Sequence, residues 1–142
     1  QPTASQLFVP AEEVNDFKNI GITKGEDIRD IFDRNFYFGC EADDSLNAVA
    51  FDSKINHYGL KLNAILGSDI GHWDVPDMSK VMVEAYEMVE DEFMNDDDFR
   101  DFTFGNVVSM HTGMNPDFFK GTVVEDEVNK FLAGKAGAVA AE

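Results

Sequence analysis

Two short apolar runs, each closing on a carboxylate, constrain this chain most. Asn35-Phe-Tyr-Phe-Gly-Cys-Glu41 and Asn63-Ala-Ile-Leu-Gly-Ser-Asp69 are brief and almost continuously apolar or aromatic, and both read as buried β-strands. Around them the period turns helical. Ile28, Ile31 and Phe32 stand at i, i+3, i+4 within residues 23–34, with acids in the first turn, which predicts a helix. Ser45 before residues 46–58 and Gly59 after them predict a second helix with an N-cap and a C-terminal stop. Val81, Ala85, Met88 and Val89 put an apolar stripe on a long helix from about Met78 to Phe93. A further helix is expected to begin near Asp96, with that residue as its cap, and to run through Phe99, Phe102 and Val107. Residues 1–23 read as an irregular lead-in with a short helix at 11–19. His111 to Pro116 reads as loop, residues 123–132 as a last short helix, and Ala133 to Ala141 as a frayed Ala/Gly-rich tail.

Helix, strand, helix, strand, helix is the order of parallel α/β architecture. Two parallel strands expose both edges, and strands this apolar expect cover on both faces. No internal repeat supplies further strands. With 142 residues the chain has the length of one domain, and its 13 Phe, 3 Tyr and 1 Trp supply enough apolar surface for a core. The inventory is therefore that of part of a sheet, carried on a chain long enough to fold.

Charge narrows the function classes. A net charge of −17 repels phosphate, and no cluster of Lys and Arg forms a basic face, which argues against nucleic acid and against anionic membranes. No run reaches the ~18 apolar residues of a membrane helix, and residues 1–20 lack a signal-peptide pattern. A single cysteine, Cys40, forms no internal disulfide. A soluble, cytoplasmic protein is the expectation.

Chemistry concentrates at the strand ends. In parallel α/β folds functional groups sit at the carboxyl ends of strands, and Asp69 closes the second strand just before His72, Trp73 and Asp74. Glu41 closes the first strand and would emerge on the same rim if the two strands are neighbours. The competing reading makes Asp69 a turn cap, His72 a solvated loop residue and Glu41 a loop-facing acid. His57, His72 and His111 lack metal-ligand spacing; His57 reads as packing or capping, and His111 as a C-terminal cap. The nine carboxylates between Glu84 and Asp101 do not make a calcium loop: a loop starting at Asp96 would need Gly at 101 and Glu at 107, where Asp101 and Val107 stand. They read as a solvated helix face. Cys40 has no assignable base and does not read as a nucleophile.

These residues carry a resemblance. Phe32 to Asp44, His57-Tyr-Gly59 and Ile65-Leu-Gly-Ser-Asp-Ile-Gly-His-Trp-Asp74 resemble the C-terminal part of amidohydrolase-superfamily metal-dependent hydrolases. The branch is the one that also contains aminocarboxymuconate-semialdehyde decarboxylase. Gly105-Asn-Val107 resembles the Gly-Asn segment that begins the closing helix of that family. The resemblance implies the last portion of a TIM-type (β/α)8 barrel, strands seven and eight with flanking helices, where a whole barrel takes about 250 residues. It spans about residues 25–120. Residues 1–23 would then lead in, 24–122 would form a βαβα segment, and 123–142 a C-terminal extension.

The resemblance makes Asp69 the strand-eight aspartate, a metal ligand and catalytic proton handler, and places His72, Glu41 and Trp73 at the substrate rim. It implies a divalent metal in the complete barrel, zinc first with manganese or iron as alternatives, and a small-molecule substrate. The metal-binding His-x-His of strand one and the histidines of strands five and six have no counterpart in this sequence. The expectation is thus a truncated or separately encoded segment, inactive alone, that needs an N-terminal barrel half or self-associates. Two alternatives stay open: a non-oxidative decarboxylase of the same superfamily, and a small acidic α/β binding protein without catalysis.

Overall fold

A computed structural model of the protein describes residues 16–139. The two apolar runs form strands β1 (Tyr37–Glu41) and β2 (Asn63–Gly67). They pair in parallel, with Tyr37 opposite Asn63 and Glu41 opposite Gly67, as the α/β reading requires. This is the only sheet among the described residues. Both strands are shorter than their apolar runs. β2 in particular ends at Gly67, so Asp69 lies two residues beyond the last paired position rather than on the strand.

Alternation sorts the faces. Ala64 is fully buried, while Cys40 and Leu66 pack half-buried against the same core. Glycine-39 aside, the opposite side carries Tyr37, Glu41 and Ile65, of which Glu41 is exposed. The covering layer comes from the helices after β2: α2 (Val81–Glu90), α3 (Asp96–Arg100), a π-helical turn at Asp101–Gly105, and α4 (Asn106–Met114). Phe51, Ala64, Met88, Met94 and Phe102 form one buried cluster, and Ala42, Val81 and Ala85 a second. Leu66 and Phe99 touch both. The stripe Val81, Ala85, Met88 is buried as its spacing predicts, although α2 is shorter than the expected Met78–Phe93.

Helix α1 (Gly25–Asn35) forms where the pattern put it, yet none of its residues is buried. Its start is fixed by Asp27, whose carboxylate accepts from the Thr23 N–H (2.8 Å), the Thr23 hydroxyl (2.9 Å) and the Lys24 N–H (3.0 Å). Ile28 and Phe32 remain more than one-third exposed, and Phe32, Phe36 and Phe38 stack in series with centroids 4.8 and 6.4 Å apart.

The helix expected over 46–58 does not form. Residues Ser45–Phe51 make a 3-10 helix capped by Asp44, not Ser45, whose carboxylate accepts from the Leu46 N–H at 2.9 Å. Side chains then capture the backbone groups a longer helix would use. Asn56 donates to the carbonyls of Val49 and Ala50, and Asp52 accepts from the Lys54 and Ile55 N–H groups. His57–Gly59 is a separate tight turn in which Tyr58 is left-handed at φ 60°.

Other boundaries move as well. Asn95, not Asp96, caps α3, accepting from the Asp98 N–H at 2.9 Å. Residues 111–114, expected in a loop, continue α4, because the Thr112 hydroxyl and the backbone keep bonding one turn back. The last helix, α5, runs from Glu125 to Val139 and takes up most of the expected frayed tail. Of the short helix expected at 11–19, residues 11–15 lie outside the described residues, and Phe17–Ile20 form a 3-10 turn. No helix among the described residues is long and apolar enough to cross a membrane.

Candidate functional site

The site begins where β2 runs out. Asp69 is left-handed at φ 51°, a conformation that Asp tolerates better than most residues, and Gly71 at φ 104° occupies a region that L side chains rarely adopt. The two reverse the chain within a few residues. The His72 N–H bonds the Asp69 carbonyl (3.0 Å) and the Val75 N–H bonds the His72 carbonyl (3.3 Å), closing a compact turn.

That turn folds His72 back over Asp69. The imidazole Nδ1 lies 2.7 Å from Asp69 Oδ2 and 3.9 Å from Asp74 Oδ1, so one ring nitrogen faces two carboxylates. One donor atom from each of Asp69, His72 and Asp74 lies within 4.8 Å of the others, the one such group of three among the described residues. Asp69 is half-buried; His72 and Asp74 are exposed. Two oxygens and an imidazole nitrogen are a donor set that suits zinc or manganese. Three donors open to solvent on one side leave the remaining positions of such a site to water or to other groups.

The neighbouring strand contributes from the same end. Because Glu41 pairs opposite Gly67, the residues after β1 and after β2 emerge together. Glu41 and Asp43 meet Ser68, Asp69, Asp74 and Glu84 around a cavity of about 20 Å³, space for roughly one water molecule or ion. Two asparagines tie the strand pair down, Asn47 at the rim and Asn106 near the start of β2. Buried Asn47 donates its amide to the Glu41 carbonyl, and buried Asn106 donates to the Ala64 carbonyl at 2.9 Å. Asn106 follows directly on the π-helical turn. There Gly105 leaves room for its neighbours, since a Cβ would stand 2.5 Å from Asp101 Oδ1 and 3.0 Å from the Phe131 ring, and both side chains would have to shift.

Of the residues singled out in the sequence, Asp69, His72 and Glu41 come to one rim. Trp73 is on the same loop but 93% exposed, and it does not line the cavity. Asp74 joins through its contact with His72. Asp43 and Glu84 were not singled out. Glu84 had a legible signal: it stands three residues after Val81 and one before Ala85, beside the stripe that buries against Ala42. Asp43 had none, because its approach depends on how the chain turns after β1.

The remaining candidates lie elsewhere. His57 is exposed in its tight turn, and His111 sits in the last turn of α4 with its ring stacked on Phe118 at 4.1 Å. Burial pushes the Cys40 thiol up, against a smaller opposing effect of the Ile65 backbone, which leaves it a poor nucleophile. In the acid-rich run, Asp98 is buried and bound by Lys61 and Asn95, a structural role rather than a calcium loop. A wider cleft of about 580 Å³ near Phe51, Lys61 and Met94 contains no histidine or cysteine in its lining. No family model, curated protein or solved structure matches this chain.

Proposed function

We propose that residues 24–122 are the C-terminal βαβα segment of an amidohydrolase-like (β/α)8 barrel, a metal-dependent hydrolase acting on a C–N or ester bond, and that the segment is inactive alone. The observation that carries this reading is the rim: a parallel pair in register, with Glu41 at one strand end and Asp69 just past the other, facing the same cavity. Helices cover one side of that pair, and its strand edges are unpaired among the described residues, as in a barrel wall taken out of its ring.

Asp69, with His72 and Asp74 beside it, is the set of side chains that would hold a divalent ion. The chemistry such an ion supplies is Lewis acidity and a water acidified toward neutral pH. Everything else falls to the chain itself. His72 Nδ1 orients the Asp69 carboxylate, which accepts a proton at the oxygen left free and returns it to the leaving group. Trp73 and Glu41 border the approach. Three donors, two of them exposed, do not close a tight metal site, so the histidines that a complete barrel would bring are needed to complete it.

The test has two arms. Expressed together with its upstream coding sequence, the protein should carry a His-x-His segment and hydrolyse amide or ester substrates in a metal-dependent way; Asp69→Asn should then lower kcat by about 10²- to 10⁴-fold. The 142-residue chain alone should self-associate in light scattering and bind zinc no tighter than micromolar in calorimetry. A monomer with a cooperative thermal melt would overturn the barrel reading in favour of a small acidic binding protein. Sub-micromolar one-to-one zinc binding lost in Asp69→Ala would overturn the claim that the segment is incomplete.

A further inference from the structure

We draw no further inference here: the strongest candidate, the Asp69, His72 and Asp74 cluster on the loop after β2 with the carboxylate-lined cavity beside it, belongs to the site already described, and nothing else in the structure points to a ligand there.

Discussion

The helices on the two sides of β2 in sequence make opposite use of similar patterns. Before it, α1 carries Ile28, Ile31 and Phe32 at helical spacing and buries none of its residues. After it, Val81, Ala85, Met88, Phe102 and Val108 are all buried, Phe102 and Ala85 completely. An apolar stripe states that a helix has a face to bury; it does not supply the surface that buries it. The later helices find the sheet face presented by Ala64 and Leu66. The aromatic row Phe32, Phe36, Phe38 stacks on itself, and Phe32 borders an open cavity with Tyr58 and Leu60 rather than a closed core.

The sharpest way to break this contrast is a pair of truncations. Phe102→Ala should cost about 3–5 kcal/mol, because the ring is fully buried and packs edge-on against Phe51. Phe32→Ala, at 37% exposure, should cost under about 1 kcal/mol in urea unfolding. Similar costs at both positions would mean that α1 is as well anchored as the later helices.

A smaller loss is expected at the polar tie between the later helices and β2. Asn106→Ala leaves the buried Ala64 carbonyl without its side-chain donor and should destabilise by about 1–3 kcal/mol. Asn106→Asp, which keeps the shape and loses the donor, should cost at least as much. A loss confined to Asn106→Ala would assign the effect to packing rather than to the hydrogen bond.

Weaker still is the rim. His72 is exposed and Asp69 only half-buried, so Asp69→Asn should change stability by less than about 1 kcal/mol while shifting the His72 ring resonances. A large loss of stability would recast Asp69 as a structural cap, the competing reading of its place in the loop.

The mildest effect belongs to the start of α1. The Thr23 backbone N–H, its hydroxyl and the Lys24 N–H hold the Asp27 carboxyl below its ordinary value of 3.8. A depressed folded pKa gives stability that is present above that ordinary value and lost as pH falls through the lowered one. The Thr23 and Lys24 amides should therefore lose exchange protection below about pH 4, with Asp27→Asn lacking this acid step.

The strands and the α2 stripe were legible because each rests on a local period, apolar runs for the strands and 3.6-residue spacing for the helix; the parallel direction followed from the order of elements, and that the two strands are neighbours was a condition the sequence left open. The helix expected over 46–58 failed for a reason equally local but harder to weigh. Asp52 and Asn56 offer the backbone hydrogen bonds that compete with a helix, and composition alone does not say which set wins. The rim was half legible. Asp69 and His72 stand three positions apart in one turn, so their meeting follows from Gly71 and the left-handed Asp69. Glu84 and Asp43 arrive from different elements.

By itself the amino-acid order determines that two short strands exist, that they are flanked by helices, and that a carboxylate stands at the end of one and just past the end of the other. Local steric and solvation preferences act within a few residues and need no partner. Which helix faces are covered, and which five carboxylates share one cavity, depends on Val81 packing against Ala42 and on the register of Glu41 with Gly67. Those contacts join residues about 26 and 40 positions apart in the sequence, and side-chain packing and strand register, which no local period encodes, bring them together.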